Sequence, residues 1–279
     1  MTISTIIPIY HGSKYIEEKL NMINKAFQQA NVLKDAELIF VNDSPDEEIT
    51  YYKSFKNFKF TIRVIKNETN MGIHYSRVQG LKVSFGKYIH FLDQDDEILE
   101  DFYKDTLANI KNDDVIVSNC ILERENAPDR LLYRNNIELN NVKKPYLYIF
   151  LDDRIISPGQ CLIRKNSIPT FWKENIMTKN GADDFLLWIL MFEEKRKFLV
   201  IKKPLYIHKN TGENYSSDEN KMKESLSELT NILSKYDNSK FYKFMKGKVD
   251  FLNGEKKGLS LLFFLLLKLR RLRIKLFEK

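Results

Sequence analysis

The sequence predicts an α/β fold on a mostly parallel sheet, with a helical extension at the C-terminal end. Three observations carry this. Short, β-branched apolar runs alternate with amphipathic stretches through the first hundred residues. That order builds parallel strands joined by right-handed helical crossovers. Polar clusters follow the apolar runs directly, at 10–12, 42–46 and 93–96, and ligands of such sheets sit beyond the strand carboxyl ends. Beyond residue 216, Met222, Leu226, Leu229, Leu233 and Tyr236 recur at helical spacing.

The elements follow in order. Residues 4–9 form a buried strand, and Tyr15, Ile16, Leu20, Ile23 and Phe27 mark a helix face that Ser13 is placed to cap. Residues 38–41 are a second strand ending in the turn Asn42-Asp43-Ser44-Pro45-Asp46, and 60–65 a third. Residues 72–85 read as a helix and 87–92 as a fourth strand running into Asp93-Gln94-Asp95-Asp96. A strand at 115–120 precedes a polar, irregular stretch at 123–145 that suits an active-site loop or lid. Then come a strand at 160–164, a helix at 184–194 and two short strands at 198–201 and 205–208. Ser216 and Glu219 have capping-box spacing at the start of the last striped helix.

Composition bounds the function. A chain of 279 residues with 43% hydrophobic content can bury a sizeable core. Ten Gly and seven Pro exclude collagen-like or linker chains. Cys120 and Cys161 are too few and too isolated for a disulfide framework or zinc site, and they suit core strands in a reducing compartment. Met1 leads within two residues into the first strand, with no basic flank or cleavage site, so a cytoplasmic protein is expected. The net charge is +7, yet residues 256–279 hold eight basic residues and one acid, and the other 37 basic and 37 acidic residues cancel. A nucleic-acid binder would spread its excess over a folded face, so no nucleic-acid partner is expected.

Several clusters can do chemistry. Asp93 and Asp95 alternate on an extended segment and can face one target, and carboxylates with substrate phosphates suit Mg²⁺ or Mn²⁺. The same run also suits a solvated turn at a helix start. Asn70-Met71-Gly72 followed by Arg77 opens a helix whose amino end can attract a phosphate. Asp43 can take a ring N–H or ribose hydroxyl, or close an Asx-type turn. Asp183 and Asp184 begin an apolar helix, where either can cap it or one can act as a general base. The four histidines, His11, His74, His90 and His208, show no metal-ligand spacing.

Together these residues resemble the family 2 glycosyltransferases of the GT-A fold, especially bacterial enzymes that build surface polysaccharides. Residues 5–10 look like the family's first strand, and Val41-Asn42-Asp43-Ser44-Pro45-Asp46 like its Val-Asp-Asp-Gly-Ser segment. Asn70-x-Gly72 with Ser76-Arg77-x-x-Gly80 is similar to its Asn-x-Gly and Ala-Arg-Asn-x-Gly helix. Phe91-Leu92-Asp93-Gln94-Asp95-Asp96 matches the Asp-x-Asp motif, and Asp183-Asp184-x-x-Leu187-Trp188 resembles Glu-Asp-x-x-Leu-Trp. Residues 204–208, Pro-Leu-Tyr-Ile-His, resemble the late Tyr-Arg-x-His region. Asn42, Pro45, Val78 and Asp183 depart from the pattern.

The resemblance implies a single Rossmann-like nucleotide-binding domain over 1–215 and a helical region over 216–279. It implies sugar transfer, with inversion, from a nucleoside diphosphate sugar (UDP being the family's common nucleotide) to a saccharide or lipid-linked acceptor in capsule or surface-polysaccharide synthesis. Asp184 would be the base, and Pro8, Tyr10, Asp43, Arg77, Asp93 and Gln94 would hold the donor. Asp95, with His208 beside it, would hold Mn²⁺ or Mg²⁺. Alternatives are an inactive scaffold of the same fold or a nucleotidyltransferase. Residues 258–279 join an apolar run, too short to span a bilayer, to a basic stretch. That suits a helix at an anionic membrane surface, so the enzyme would sit peripherally on the inner face of the plasma membrane, or else a helix packed on protein.

Overall fold

A computed structural model describes residues 2–49, 55–124, 128–150, 154–209, 218–255, 258–261 and 265. Its strands are β1 (Ile3–Ile9), β2 (Ala36–Asn42), β3 (Thr61–Lys66), β4 (Tyr88–Phe91), β5 (Glu97–Ile98), β6 (Val115–Leu122), β7 (Arg130–Leu131), β8 (Cys161–Arg164) and β9 (Phe198–His208). They form one sheet in the order β3-β2-β1-β4-β8-β6-β9-β5, with β7 paired to β6. The block β3-β2-β1-β4 is parallel, as is β6 with β9, and the antiparallel β8 joins the two. The mixed α/β fold with a mostly parallel sheet is therefore as the sequence predicts.

Both faces of this sheet are covered, which is why β1 and β2 are buried along their whole length. Alternation sorts their side chains. Ile3, Ile7 and Ile9 with Leu38 and Phe40 pack under α1 (Ile16–Gln29). Ile6, Ile39 and Val41 face α2 (Ile73–Val83) on the other side. The first face also takes Phe102 and Tyr103 of α3 (Phe102–Asn109). The second face continues through α4 (Asn136–Asn141), α5 (Pro145–Phe150), α6 (Thr170–Glu174) and α7 (Asp183–Glu193) to α8 (Glu219–Leu233) and α9 (Tyr242–Leu252). Leu226, Leu229 and Leu233 of the predicted stripe lie in that core, and Tyr236 packs on Phe171 with ring centroids 5.1 Å apart. Cys120 and Cys161 are buried in β6 and β8, and neither is in a disulfide.

Several local expectations are corrected. The two short strands at 198–208 are one strand, whose pairing with β6 shifts register at Ser118/Asn119 and Asn119/Cys120. Pro204, which has no N–H to donate, sits at that irregularity, where a ladder tolerates it. Ser13 does not cap α1; it opens a 3-10 turn, Ser13–Tyr15, that leads into the helix. Asp218 caps α8, accepting from the N–H groups of Asn220 and Lys221 at 3.0 and 3.1 Å, and Ser216 lies outside the described residues. The stretch 123–145 is not uniformly irregular: it holds β7 and α4, and Asn135 caps the latter. Most of 258–279 lies outside the described residues, and among the described ones no helix is long and apolar enough to cross a membrane.

One buried network ties β1, β4 and α3 to the 3-10 turn Pro158–Gln160. His90 Nε2 lies 2.8 Å from the Gly159 carbonyl, its Nδ1 2.8 Å from the Tyr103 hydroxyl, and that hydroxyl 2.6 Å from Thr5 Oγ1. A carbonyl only accepts, so the neutral ring donates from Nε2 and accepts at Nδ1. Burial pushes the His90 imidazole down to about 4 from its ordinary 6.5. Between those values the unfolded chain binds a proton that the folded one refuses, so stability falls as pH drops through the window. On going from pH 7 to pH 5 the loss assigned to His90 is about 2 kcal/mol. Urea unfolding of His90→Asn should show less stability at pH 7 but a fall toward pH 5 smaller by that amount; an unchanged fall would refute the assignment.

Candidate active site

The polar clusters at the ends of β1, β2 and β4 meet at one edge of the sheet. Gln94 buckles the first to the third: Tyr10 N donates to its Oε1 at 2.9 Å, and its Nε2 donates to the Tyr10 carbonyl at 3.0 Å. This explains Gly12, where an added Cβ would lie 2.1 Å from Gln94 Oε1. Tyr10 itself stays 48% exposed at the rim. After β2, Asn42 shapes the turn that Pro45 interrupts in sequence. Its Oδ1 accepts from Ser44 N at 2.9 Å and its Nδ2 donates to the Glu47 carbonyl at 2.7 Å.

Asp43 is buried and organises the loop before α2. Its Oδ1 accepts from Asn67 Nδ2 at 2.7 Å and Met71 N at 2.8 Å, and its Oδ2 from Gly72 N at 2.8 Å. Gly72 then enters α2 at φ 85°, a conformation that disfavours side chains. Acceptor capacity remains on Oδ2, since a carboxylate oxygen has two lone pairs.

The three acids after β4 have three different environments. Asp93 accepts from Arg77 Nη2 at 2.5 Å and from Ser157 Oγ at 2.9 Å. Asp96 is buried and takes the Tyr206 hydroxyl, Lys209 N at 2.8 Å and His208 Nδ1 at 3.1 Å. Its backbone carbonyl also accepts from the buried Lys19 Nζ at 2.6 Å. Among the described residues Asp95 has no such clasp. Burial, then the charges of Asp96 and Asp93, push its carboxyl up to about 6. Burial alone would lower His208, but the bond to Asp96 and the carboxylates around it hold it above its ordinary value.

Arg77 projects from α2 into the gap between β4 and α7. Its Nη1 donates to Asp183 Oδ2 at 2.6 Å while Nη2 holds Asp93. Arg77 and Asp183 are 3% and 2% exposed, so the pair is desolvated. Burial opposes the charge on the guanidinium, but Asp183 and Asp93 outweigh it and raise its affinity for the proton. Neither acid caps α7, whose N-cap is Ala182 with no side-chain bond. Asp184 Oδ1 instead accepts from Phe185 N at 2.7 Å.

The residues expected to hold the donor and the metal and to act as the base all line one cleft of about 360 Å³: Pro8, Tyr10, Asp43, Arg77, Asp93, Gln94, Asp95, Asp184 and His208. Asp96, Asp183, Asn70, Ile156 and Asn180 line it too. Arg77 and Gln94 enter it as clasps, the one joining two acids and the other joining two loops. Sequence reasoning missed Asn67, Ser157 and Tyr206, which hold Asp43, Asp93 and Asp96. Of these, only Ser157, followed by Pro158-Gly159, carries a local turn signature. The other two partner their acids only through the tertiary fold. His74 and His90 are structural: His74 Nδ1 accepts from Met177 N at 2.9 Å, and its Nε2 lies 3.1 Å from the Trp172 carbonyl.

Removing one member of a buried ion cluster strands the others. Arg77→Met should therefore lower the unfolding free energy by about 3–5 kcal/mol, read by urea denaturation at pH 7. A loss below about 1 kcal/mol would show that the arginine does not hold the two acids in solution.

The chain is similar to known proteins in sequence and in fold. The family model described as Glycosyl transferase family 2 matches residues 4–172. Poly(ribitol-phosphate) beta-N-acetylglucosaminyltransferase TarS of Staphylococcus aureus (strain Mu50 / ATCC 700699) is 25% identical over 224 residues, 78% of this chain and 37% of that protein. The uncharacterized glycosyltransferase EpsJ of Bacillus subtilis (strain 168) is 26% identical over 141 residues, 50% of this chain and 39% of that protein. The matches thus span about two-fifths of the length of these curated relatives. Among solved structures, S. aureus TarS 1–349 in complex with UDP-GlcNAc has a TM-score of 0.66 at 22% identity, covering 94% of this chain and 76% of that one. The mannosyltransferase PcManGT from Pyrobaculum calidifontis, in complex with GDP-Man and Mn²⁺, has a TM-score of 0.58 at 13% identity, covering 89% and 69%. These structural likenesses are of fold, and the family match extends over more than half of the sequence. The chain belongs to glycosyl transferase family 2.

Proposed function

We propose that this chain transfers a sugar from a nucleoside diphosphate sugar, with UDP as the nucleotide, to a hydroxyl of a saccharide acceptor, inverting the anomeric carbon. The observation that carries this is the convergence of Asp93 and Asp95 with Asp183 and Asp184 on one cleft. Family membership supports the reaction class, and the UDP-GlcNAc bound by TarS supports the donor class. The bacterial relatives, a poly(ribitol-phosphate) glycosyltransferase among them, support a place in surface-polysaccharide synthesis.

The donor set fits a hard divalent cation. The cleft is lined by Asp43, Asp93, Asp95, Asp96, Asp183 and Asp184 against Arg77 and His208. A diphosphate entering so acidic a space needs a positive counter-charge. Among the described residues no three His, Cys, Asp or Glu side chains form a ready-made cage, and Mg²⁺ or Mn²⁺ is ordinarily held by one or two carboxylates together with phosphates. Asp95 would hold such an ion, with His208 near it. When bound, it would neutralise the departing diphosphate.

The chain's own groups do the rest. Tyr10 offers a half-exposed ring to the base, and the spare capacity on Asp43 Oδ2 can accept a base N–H or a ribose hydroxyl. Asp93, oriented by Arg77 and Ser157, would meet the ribose. Asp184 takes the proton of the acceptor hydroxyl as its oxygen attacks, a contribution of about 10²–10⁴-fold. Placement of this carboxylate across the sugar from the leaving group is what inversion requires. We assign 1–215 as the catalytic domain and 216–279 as its helical extension. The composition of 258–279 supports peripheral contact with an anionic membrane, where a lipid-linked acceptor would lie.

Asp184→Asn should reduce transfer by at least about 10²-fold and leave nucleotide binding by calorimetry nearly unchanged; full activity would refute its role. Asp95→Ala should abolish the dependence of nucleotide affinity on added Mn²⁺. Identical Mn²⁺ dependence in variant and wild type would place the cation elsewhere.

A further inference from the structure

The segment between α6 and α7 carries Asn180 and Gly181 to the cleft wall and delivers Asp183 and Asp184. It has no regular structure of its own at 178–180, so its position depends on side chains that reach it. One comes from α8, beyond the 4–172 span of the family match. Glu228 Oε1 accepts from Thr178 N at 2.9 Å and Thr178 Oγ1 at 2.8 Å, and its Oε2 accepts from Lys179 N at 2.7 Å. Beside it, Ser225 Oγ donates to the Lys179 carbonyl at 3.2 Å. The next residue, Asn180, accepts from Ile73 N at 3.2 Å through Oδ1. The loop is thus gripped by α8 on one side and by the start of α2 on the other, four to six residues before Asp184.

Docking of α8 does not need this carboxylate. Leu226, Leu229 and Leu233 already bury the helix in the core, whereas the bonds of Glu228 to the loop lie at the exposed surface. A carboxylate accepting backbone N–H groups makes strong, charge-assisted bonds, and what these bonds define is the path of residues 178–179.

We infer that Glu228 is a positioning residue: by clamping Thr178 and Lys179 it sets where Asp184 stands against the acceptor hydroxyl. This rests on the general-base role proposed above. It makes α8 a working part of the transfer site in addition to a packing element. A misplacement of about 1 Å in a reacting group costs on the order of 10²-fold in rate. Loss of the clamp therefore acts on turnover and leaves the donor pocket, built from β1, β2, β4 and α2, intact.

The test compares wild type, Glu228→Gln and Glu228→Ala. The expected result is a kcat for transfer lower by roughly 10–100-fold in Glu228→Ala and by less in Glu228→Gln, which keeps one acceptor oxygen. UDP affinity with Mn²⁺ should stay within about twofold and the melting temperature nearly unchanged. Amide hydrogen exchange, read on the same proteins without turnover, should quicken at 178–179 and onward through 183–184. A kcat within twofold of wild type, or UDP affinity falling in step with kcat, would overturn the inference, as would unchanged exchange at 183–184. Absence of transfer by the wild type would overturn the assigned reaction instead, and exchange would still decide whether the clamp orders the loop.

Discussion

The site is organised around one guanidinium. Arg77 stands between Asp93, at the end of the central strand β4, and Asp183, at the start of α7, with bonds of 2.5 and 2.6 Å. Both acids line a single cleft together with Asp95 and Asp184. Without a cation between them, the buried Asp183 and the half-buried Asp93 would repel. With it, the carboxyl edge of the sheet and the amino end of α7 are tied together. The two functions proposed for the cleft, holding a metal–diphosphate and priming an acceptor, need those two edges at a fixed separation.

Around this bridge, each remaining acid is given a distinct condition by its partners. Asp96 is held by a buried tyrosine hydroxyl, a histidine and a backbone N–H, and so serves as a strut between β4 and β9. Asp43 is satisfied by the loop it organises. Asp95 is left raised toward neutrality by burial and by the charges of Asp96 and Asp93. An incoming cation would favour the ionised form that burial and the charges of Asp96 and Asp93 disfavour. The same physics explains why so many acids can share so small a space. Arg77 bridges Asp93 and Asp183, and His208 faces Asp96, which offsets part of the charge, and a ligand's counter-ion would offset more.

Much of this was legible in the sequence, and for identifiable reasons. Strands buried on both faces announce themselves as continuous β-branched runs, as at 4–9 and 38–41. The chain topology then puts whatever follows them at one edge, so the clusters at 10–12, 42–46 and 93–96 were findable by position alone. Partners were not. Ser157 and Tyr206 reach Asp93 and Asp96 from 64 and 110 residues away, and no local pattern encodes such a pairing. Arg77 was found as a motif residue, but its engagement with two acids follows only from the crossing of α2 over the sheet. Smaller misses have local causes. The cap of α8 is Asp218, whose carboxylate accepts backbone N–H bonds as well as a serine hydroxyl can. The interruption at 202–204 read as a strand break because a register shift leaves no signature besides a proline.

The measurement closest to the central claim is a crystal structure of the chain with UDP and Mn²⁺. The expected density places the base against Tyr10 and Asp43 and the cation on Asp95. It also leaves Arg77 still bonded to both Asp93 and Asp183. Density showing Arg77 swung away from Asp183 onto the base, or a nucleotide bound outside this cleft, would contradict the account.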